Sequence, residues 1–133
     1  MRRLLRVLPL ALAGTACMLG PSVASFAPAN APAGITVQLR SLKGRGLTSE
    51  LLAVQDTALL VLAGDSVWVA PFRSIHLALV QQRESLSFGE GQTPGRRQRD
   101  ELSRLARFPG GIPAGVMAEL LREHAQTGPG FVY

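Results

Sequence analysis

Apolar and polar residues alternate with a period of two along much of residues 35–80, in short runs separated by turn residues. Ile35, Val37 and Leu39 alternate with polar side chains, which is the pattern of a half-buried strand. Residues 58–62 are wholly apolar, as is typical of a strand buried on both faces. The pattern predicts five strands, at residues 35–40, 47–55, 58–62, 66–70 and 75–80.

The connections between these strands are too short for the crossovers that parallel pairing requires, so we expect the strands to be antiparallel. Five short strands at even spacing predict a small antiparallel barrel or a strongly bent sheet over residues 35–80. In the fifth strand Ile75, Leu77 and Leu79 alternate with their neighbours. We therefore expect these three side chains to face the core and His76 to face away from it.

A helical periodicity follows the strands, so the predicted fold class is mainly β with C-terminal helices. Residues 81–95 are rich in Ser, Gly, Gln and Pro, which predicts a linker. Residues 96–127 carry apolar residues at three- and four-residue spacing, which predicts one or two helices packing on the barrel. Pro113 suits the first position of the second helix, and residues 128–133 are expected to form a tail. Trp68 could be exposed as part of a binding surface or covered by the second helix, and we expect the second helix to cover it.

The N-terminal residues have the order of a secretory signal. Residues 1–6 carry three arginines and no acid, and residues 7–19 then run without a charge. Small residues and prolines follow, as in the cleavage region of an export signal. The apolar run is shorter than the roughly 20 residues that span a bilayer. We therefore predict a signal peptide at residues 1–24, followed by an Ala/Pro-rich tether at residues 25–34.

The single cysteine offers a second fate for this leader. The segment Leu12-Ala13-Gly14-Thr15-Ala16-Cys17 resembles a bacterial lipobox, in which the cysteine becomes the lipidated N-terminus. Gly14 stands where that motif has Leu or Val. The sequence leaves two outcomes open, a lipid anchor at Cys17 or a cut further along the chain. With one cysteine in the chain, no internal disulfide is expected.

The net positive charge of the chain gives little support for a nucleic-acid partner. The formal charge is +5, but three of the 14 basic residues are Arg2, Arg3 and Arg6. Without them, 11 basic residues stand against nine acidic ones, a formal charge of +2. The remaining excess lies mainly in one arginine cluster at residues 96–107, with no aromatic residues interleaved among those arginines. Nucleic-acid binding usually needs a basic stripe with stacking aromatics, so no nucleic-acid partner is expected.

The strands resemble those of the Sm-like and SH3-like small barrels. Val37-Gln38-Leu39, then Gly44, then residues 50–56 are similar to the first Sm motif, in which a glycine turn precedes a bent strand ending in Asp. The resemblance implies a barrel. The RNA-binding Asn of the family would fall near Leu60, and Arg73-Ser74 only echoes the second motif, which argues against RNA binding. The order of leader, barrel and helices is also similar to that of exported bacterial proteins.

Residues capable of catalysis do not form a recognisable constellation along the chain. His76 and His124 are the only histidines, and zinc sites need about three or four ligands. Asp56 and Asp65 fall in turns, where Asp bonds to its own backbone. Glu119, Glu123 and the serines lack a placed base or acid partner. We therefore expect no catalytic, cofactor-binding or metal-binding residues, and Cys17 is the one candidate for modification.

The sequence thus favours a small binding or structural domain, without catalytic activity, exported to the periplasm or cell envelope. Its partner is expected to be a protein of unknown identity, and membrane contact is expected only through a lipid anchor at Cys17. One alternative is a subunit of an envelope enzyme or assembly whose site forms only with a partner. An Sm-like RNA-binding module is a disfavoured alternative, because the position expected for the family's RNA-binding Asn, near Leu60, is apolar. RNA binding of that kind would fall steeply with salt.

Overall fold

The structure is a computed structural model that describes residues 33–133. The expected signal peptide at residues 1–24, the lipidation candidate Cys17 and most of the tether at residues 25–34 lie outside the described residues. At the start of the described chain, Gly34 donates its N–H to the Glu50 carboxylate at 2.8 Å. Gly34, which the sequence assigns to the tether, is therefore hydrogen-bonded to a residue of the sheet.

The five longer strands form in the segments where the sequence predicts them, and positive-φ glycines turn the chain in two of the connections between them. Gly44 (φ +86°) and Gly64 (φ +59°) adopt left-handed conformations that a side chain would strain. Tight turns at these positions let consecutive strands pair in antiparallel fashion. The strands are β1 (Thr36–Ser41), β2 (Gly46–Val54), β3 (Ala58–Ala63), β4 (Ser66–Pro71), β5 (Ile75–Val80), β6 (Phe88–Gly89) and β7 (Gly130–Phe131).

The seven strands form one mixed sheet with the order β6-β5-β1-β2-β3-β4-β7. All neighbours pair antiparallel except β4 and β7, which pair in parallel. A 3-10 turn at Phe72–Ser74 separates β4 from β5, and β5 pairs with β1 rather than with β4. The mainly β fold with two helices agrees with the sequence, but the five-stranded barrel is not confirmed, because the sheet has seven strands and is not closed.

Two apolar clusters lie on opposite faces of the central strands. The buried side chains of β3 alternate between them, with Leu59 and Val61 in one and Leu60 in the other. The inner cluster is enclosed by the bent sheet and by helix α1 (Arg96–Leu105), which contributes Leu102. The outer cluster lies between the sheet and helix α2 (Ala114–Glu123). Its buried members are Leu52, Ala53, Leu60, Val67 and Leu120.

The inward face of β5 differs from the sequence prediction. Ile75 is buried as expected, but Ala78 and Val80 are the next buried residues. Leu77 and Leu79 are 37% and 45% exposed, so the prediction that they face the core is wrong. Both residue sets are apolar, and the sequence pattern therefore did not distinguish one face from the other.

A β-bulge causes this change of face. Arg40 pairs with Leu77, whereas its neighbour Ser41 pairs with Ile75, so His76 is an extra residue with no partner in β1. One inserted residue reverses the direction of every side chain beyond it, because side chains alternate with a period of two. The bulge therefore turns the leucines of β5 outward.

Two segments expected to lack structure contribute to the fold. In the expected linker at residues 81–95, Leu86 is buried in the inner cluster and β6 extends the sheet beside β5. In the expected tail at residues 128–133, β7 pairs with β4 and Val132 is fully buried. Each of these strands has two residues, too few to produce a visible alternation in the sequence.

Candidate functional site

The outer surface of the sheet is covered on one side only. Helix α2 covers β2, β3 and β4 through the outer cluster. The outer surface of β1 and β5 has no such helix among the elements of residues 33–133. We call this surface the β1–β5 face, and its side chains are Gln38, Arg40, Thr48, Leu77 and Leu79.

Strand pairing sets the arrangement of the β1–β5 face. Gln38 stands opposite Leu79 on one side and Thr48 on the other, and Arg40 stands opposite Leu77. Directly opposed side chains in neighbouring strands have Cβ atoms about 4.5–5.5 Å apart. The two leucines therefore lie beside a polar amide and a cation, around a hollow of about 330 Å³.

Arg40 is the one ionisable residue lining this hollow. Within residues 33–133 its guanidinium makes neither an ion pair nor a hydrogen bond. An exposed cation next to exposed leucines favours contact with a surface that offers apolar groups and a carboxylate. The face therefore presents apolar side chains beside one exposed cation.

A second exposed group of side chains surrounds Trp68. The face of its indole lies against Gly130 of β7, and the Arg45 guanidinium lies 4.8 Å from the ring centroid. Trp68 is half-buried and packs on the inner cluster, so the expectation that α2 covers it is wrong. Instead, β7, which follows α2, and Arg45 of the β1–β2 turn lie against it.

The aromatic side chains of this region also contact each other and a cation. Phe131 and Tyr133 stack with ring centroids 6.3 Å apart. The Lys43 ammonium lies 5.9 Å from the centroid of the Tyr133 ring. The Lys43 contact joins the β1–β2 turn to the segment that follows α2. A cation–π contact at an exposed site is worth about 0.5–1 kcal/mol.

The polar residues considered in the sequence do not come together. Asp56 and Asp65 lie in turns at opposite ends of β3, and Glu119 and Glu123 are exposed on α2. His76 Nδ1 lies 3.7 Å from the Glu90 carboxylate on the surface. Among residues 33–133, no group of three or more His, Cys, Asp or Glu side chains is placed to hold a metal ion.

Sequence reasoning missed the residues of the β1–β5 face. The alternation in β5 assigned Leu77 and Leu79 to the core, and Arg40 was an ordinary polar residue of a half-buried strand. The available signal was Ala78 with Val80, which is an equally apolar alternative face. Choosing between the two faces requires the position of the bulge, which only pairing with β1 defines.

No helix within residues 33–133 has the length and apolar character needed to span a membrane. No family model, curated protein or solved structure matches this chain.

Proposed function

We propose that this chain is a small exported domain of a bacterial cell envelope that binds a protein partner through the β1–β5 face and has no catalytic activity. Export is supported by the charged and then apolar order of residues 1–19. The mass of the mature N-terminus distinguishes the two fates of the leader. A diacylglyceryl group on Cys17 indicates an anchored protein, and a free end beyond Cys17 indicates a released one.

The observation that carries the binding proposal is the exposure of Leu77 and Leu79 on an uncovered sheet face. The equivalent outer surface of the neighbouring strands is covered by an entire helix, which buries its apolar side chains. Burying one fully exposed leucine contributes about 1.5–3 kcal/mol. Leu77 and Leu79 are 37% and 45% exposed, so covering both contributes about 1–2.5 kcal/mol. A partner on this face would do for β1 and β5 what α2 does for β2 to β4.

Charge decides which kind of partner fits. Arg40 lies next to Leu77 without an opposing carboxylate within residues 33–133. A complementary surface therefore carries exposed apolar side chains around an Asp or Glu. Such an ion pair orients the partner, and the leucines supply most of the affinity.

A small antiparallel barrel or strongly bent sheet of the Sm-like or SH3-like kind remains the finer architectural proposal. The pairing of β5 with β1 and the 3-10 turn between β4 and β5 support it. Leu60, near which the resemblance places the family's RNA-binding Asn, is buried in the outer cluster with α2. This burial supports protein binding over RNA binding, because a base could not reach that position.

A photocrosslinking amino acid in place of Leu79 tests the binding proposal in cells. We expect an adduct with one envelope protein, and no such adduct from the same amino acid at the exposed Glu119 on α2. The adduct identifies the partner, which is then purified for affinity measurements. We expect the double substitution Leu77→Ser and Leu79→Ser to weaken binding by at least about tenfold.

Leu42→Ser is the matched control, because Leu42 is also an exposed leucine but lies outside the β1–β5 face. It should leave the affinity within about twofold. Arg40→Glu should weaken binding and reverse its dependence on salt, since it replaces an attraction with a repulsion. Equal adducts from positions 79 and 119, or equal affinities of the double variant and Leu42→Ser, would contradict the proposal.

A further inference from the structure

A separate cavity of about 420 Å³ lies where the β2–β3 turn, the end of β4 and the loop after β6 meet. It shares no residue with the β1–β5 face. Its volume falls in the range of about 300–1,000 Å³ that is usual for small-molecule sites. Its walls divide into an apolar side and a polar side.

The apolar side is built from three residues on adjacent strands. Val69 and Pro71 belong to β4, and Phe131 belongs to β7 and pairs with Val69. Phe131 is 47% exposed, so part of its side chain remains accessible to a ligand beside its stacking contact with Tyr133. An aromatic ring beside Val and Pro forms a surface suited to an aryl or branched alkyl group.

The polar side is dominated by Arg73, with the hydroxyl groups of Thr57 and Thr93 nearby. Arg73 is the one charged residue in the lining. Its guanidinium makes neither an ion pair nor a hydrogen bond within residues 33–133. A guanidinium binds carboxylates through two parallel hydrogen bonds, and threonine hydroxyls can donate further ones.

The backbone of Arg73 is held in place. The preceding residue, Phe72, is buried in the inner cluster and donates its N–H to the Thr57 carbonyl at 3.0 Å. On the other side Gly91 comes so close that a Cβ there would lie 3.1 Å from the Arg73 carbonyl oxygen. The Arg73 side chain therefore projects from a fixed backbone position.

We infer that this cavity is a binding site for a small carboxylic acid with an aryl or branched alkyl body. The carboxylate pairs with Arg73, and the apolar body lies against Phe131, Val69 and Pro71. A single cation favours a singly charged carboxylate over a phosphate dianion, and the apolar wall favours an organic acid over an inorganic anion. Asp56 lies in sequence between two lining residues, Gln55 and Thr57. It does not line this cavity itself but borders a neighbouring polar cavity with Arg96 and Arg99.

Titration of the purified full-length chain with 3-phenylpropanoate, followed by backbone amide NMR shifts, tests this site. We expect saturable shifts at Thr57, Arg73 and Thr93, with a dissociation constant on the order of 1 mM or tighter. The neutral 3-phenylpropanamide tests the need for the carboxylate. Inorganic phosphate tests the need for the apolar body. Both should bind at least about tenfold more weakly.

Arg73→Gln should weaken 3-phenylpropanoate binding by at least about tenfold, and Arg73→Lys should weaken it less, because it keeps the charge but loses the paired geometry. Arg83→Gln, at an exposed arginine outside the cavity, should bind like the unchanged protein. The NMR spectra also show whether each variant is folded. The inference fails if no probe causes saturable shifts, if acid and amide bind equally, or if a folded Arg73→Gln binds as well as Arg83→Gln.

Discussion

At the scale of single residues, the ion pair between Glu50 and Arg107 joins three parts of the chain. The Arg107 side chain donates to Glu50 from two nitrogens, at 2.6 and 2.5 Å, and Gly34 N–H donates to the same carboxylate. The two side chains are 19% and 12% exposed. Such shielded, two-point pairing is stronger than a surface ion pair. It ties β2 to the end of α1 and to the start of β1.

Glu50→Gln should lower the free energy of unfolding by about 2 kcal/mol, because it removes the negative charge that pairs with the mostly buried Arg107 guanidinium. Denaturant unfolding of the variant measures this loss. Glu119→Gln is the matched control, since Glu119 is exposed and has no partner within residues 33–133. The control should change stability by less than about 0.5 kcal/mol. Equal losses in the two variants would show that the pair is not stabilising.

At the scale of elements, the β4 edge is protected by the segment that follows α2. The Gln126 side chain accepts from Val67 N–H at 2.7 Å and donates to the Val67 carbonyl at 3.2 Å, as a paired strand would. β7 then pairs with Trp68 and Val69. An exposed edge strand invites pairing with other chains. This segment therefore gives β4 a partner from within the same chain.

Gly130→Ala tests how closely β7 is attached to the sheet. A Cβ at Gly130 would lie 2.6 Å from Cε3 of Trp68, so β7 and the indole must separate. We expect a stability loss of about 1–3 kcal/mol and a red shift of tryptophan fluorescence as water reaches the ring.

Gly128→Ala serves as the control for this substitution. No atom lies within 4 Å of a Cβ at Gly128, and its φ is not in the left-handed region. It should leave both stability and fluorescence nearly unchanged. An unshifted spectrum in Gly130→Ala would indicate that β7 does not pack on Trp68.

At the scale of the whole molecule, two apolar clusters share one set of strands. The inner cluster joins the bent sheet to α1, and the outer cluster joins β2, β3 and β4 to α2. β3 contributes side chains to both clusters, because both of its faces are buried. Loosening α2 should therefore leave much of the inner cluster in place.

Leu120→Ala tests this division, because Leu120 is fully buried in the outer cluster. We expect a loss of about 2–5 kcal/mol and faster hydrogen exchange in α2, with β1 and β5 keeping most of their protection. Leu102→Ala, in the inner cluster, should instead lower protection in β1 and β5. Identical exchange patterns in the two variants would show that the clusters unfold as one unit.

Much of this fold could be predicted from local pattern. The five main strands and both helices occur where period-two and three-to-four-residue spacing predicted them, because these periods follow from backbone geometry within each element. The stripe on α2, including Leu120, packs on the sheet as its spacing indicated. The candidate site was not predictable in the same way, since the bulge at His76 depends on pairing with β1.

The sequence by itself determined which segments become strands and helices, because alternation and turn residues act over a few neighbouring positions. Only the tertiary structure decided which apolar face of β5 is exposed, that β7 pairs with β4, and that Arg73 and Phe131 border one cavity. Those outcomes depend on contacts between residues far apart in the chain. A short apolar run could pair with several strands. The packing of the whole sheet and of the two clusters determines which strand it pairs with.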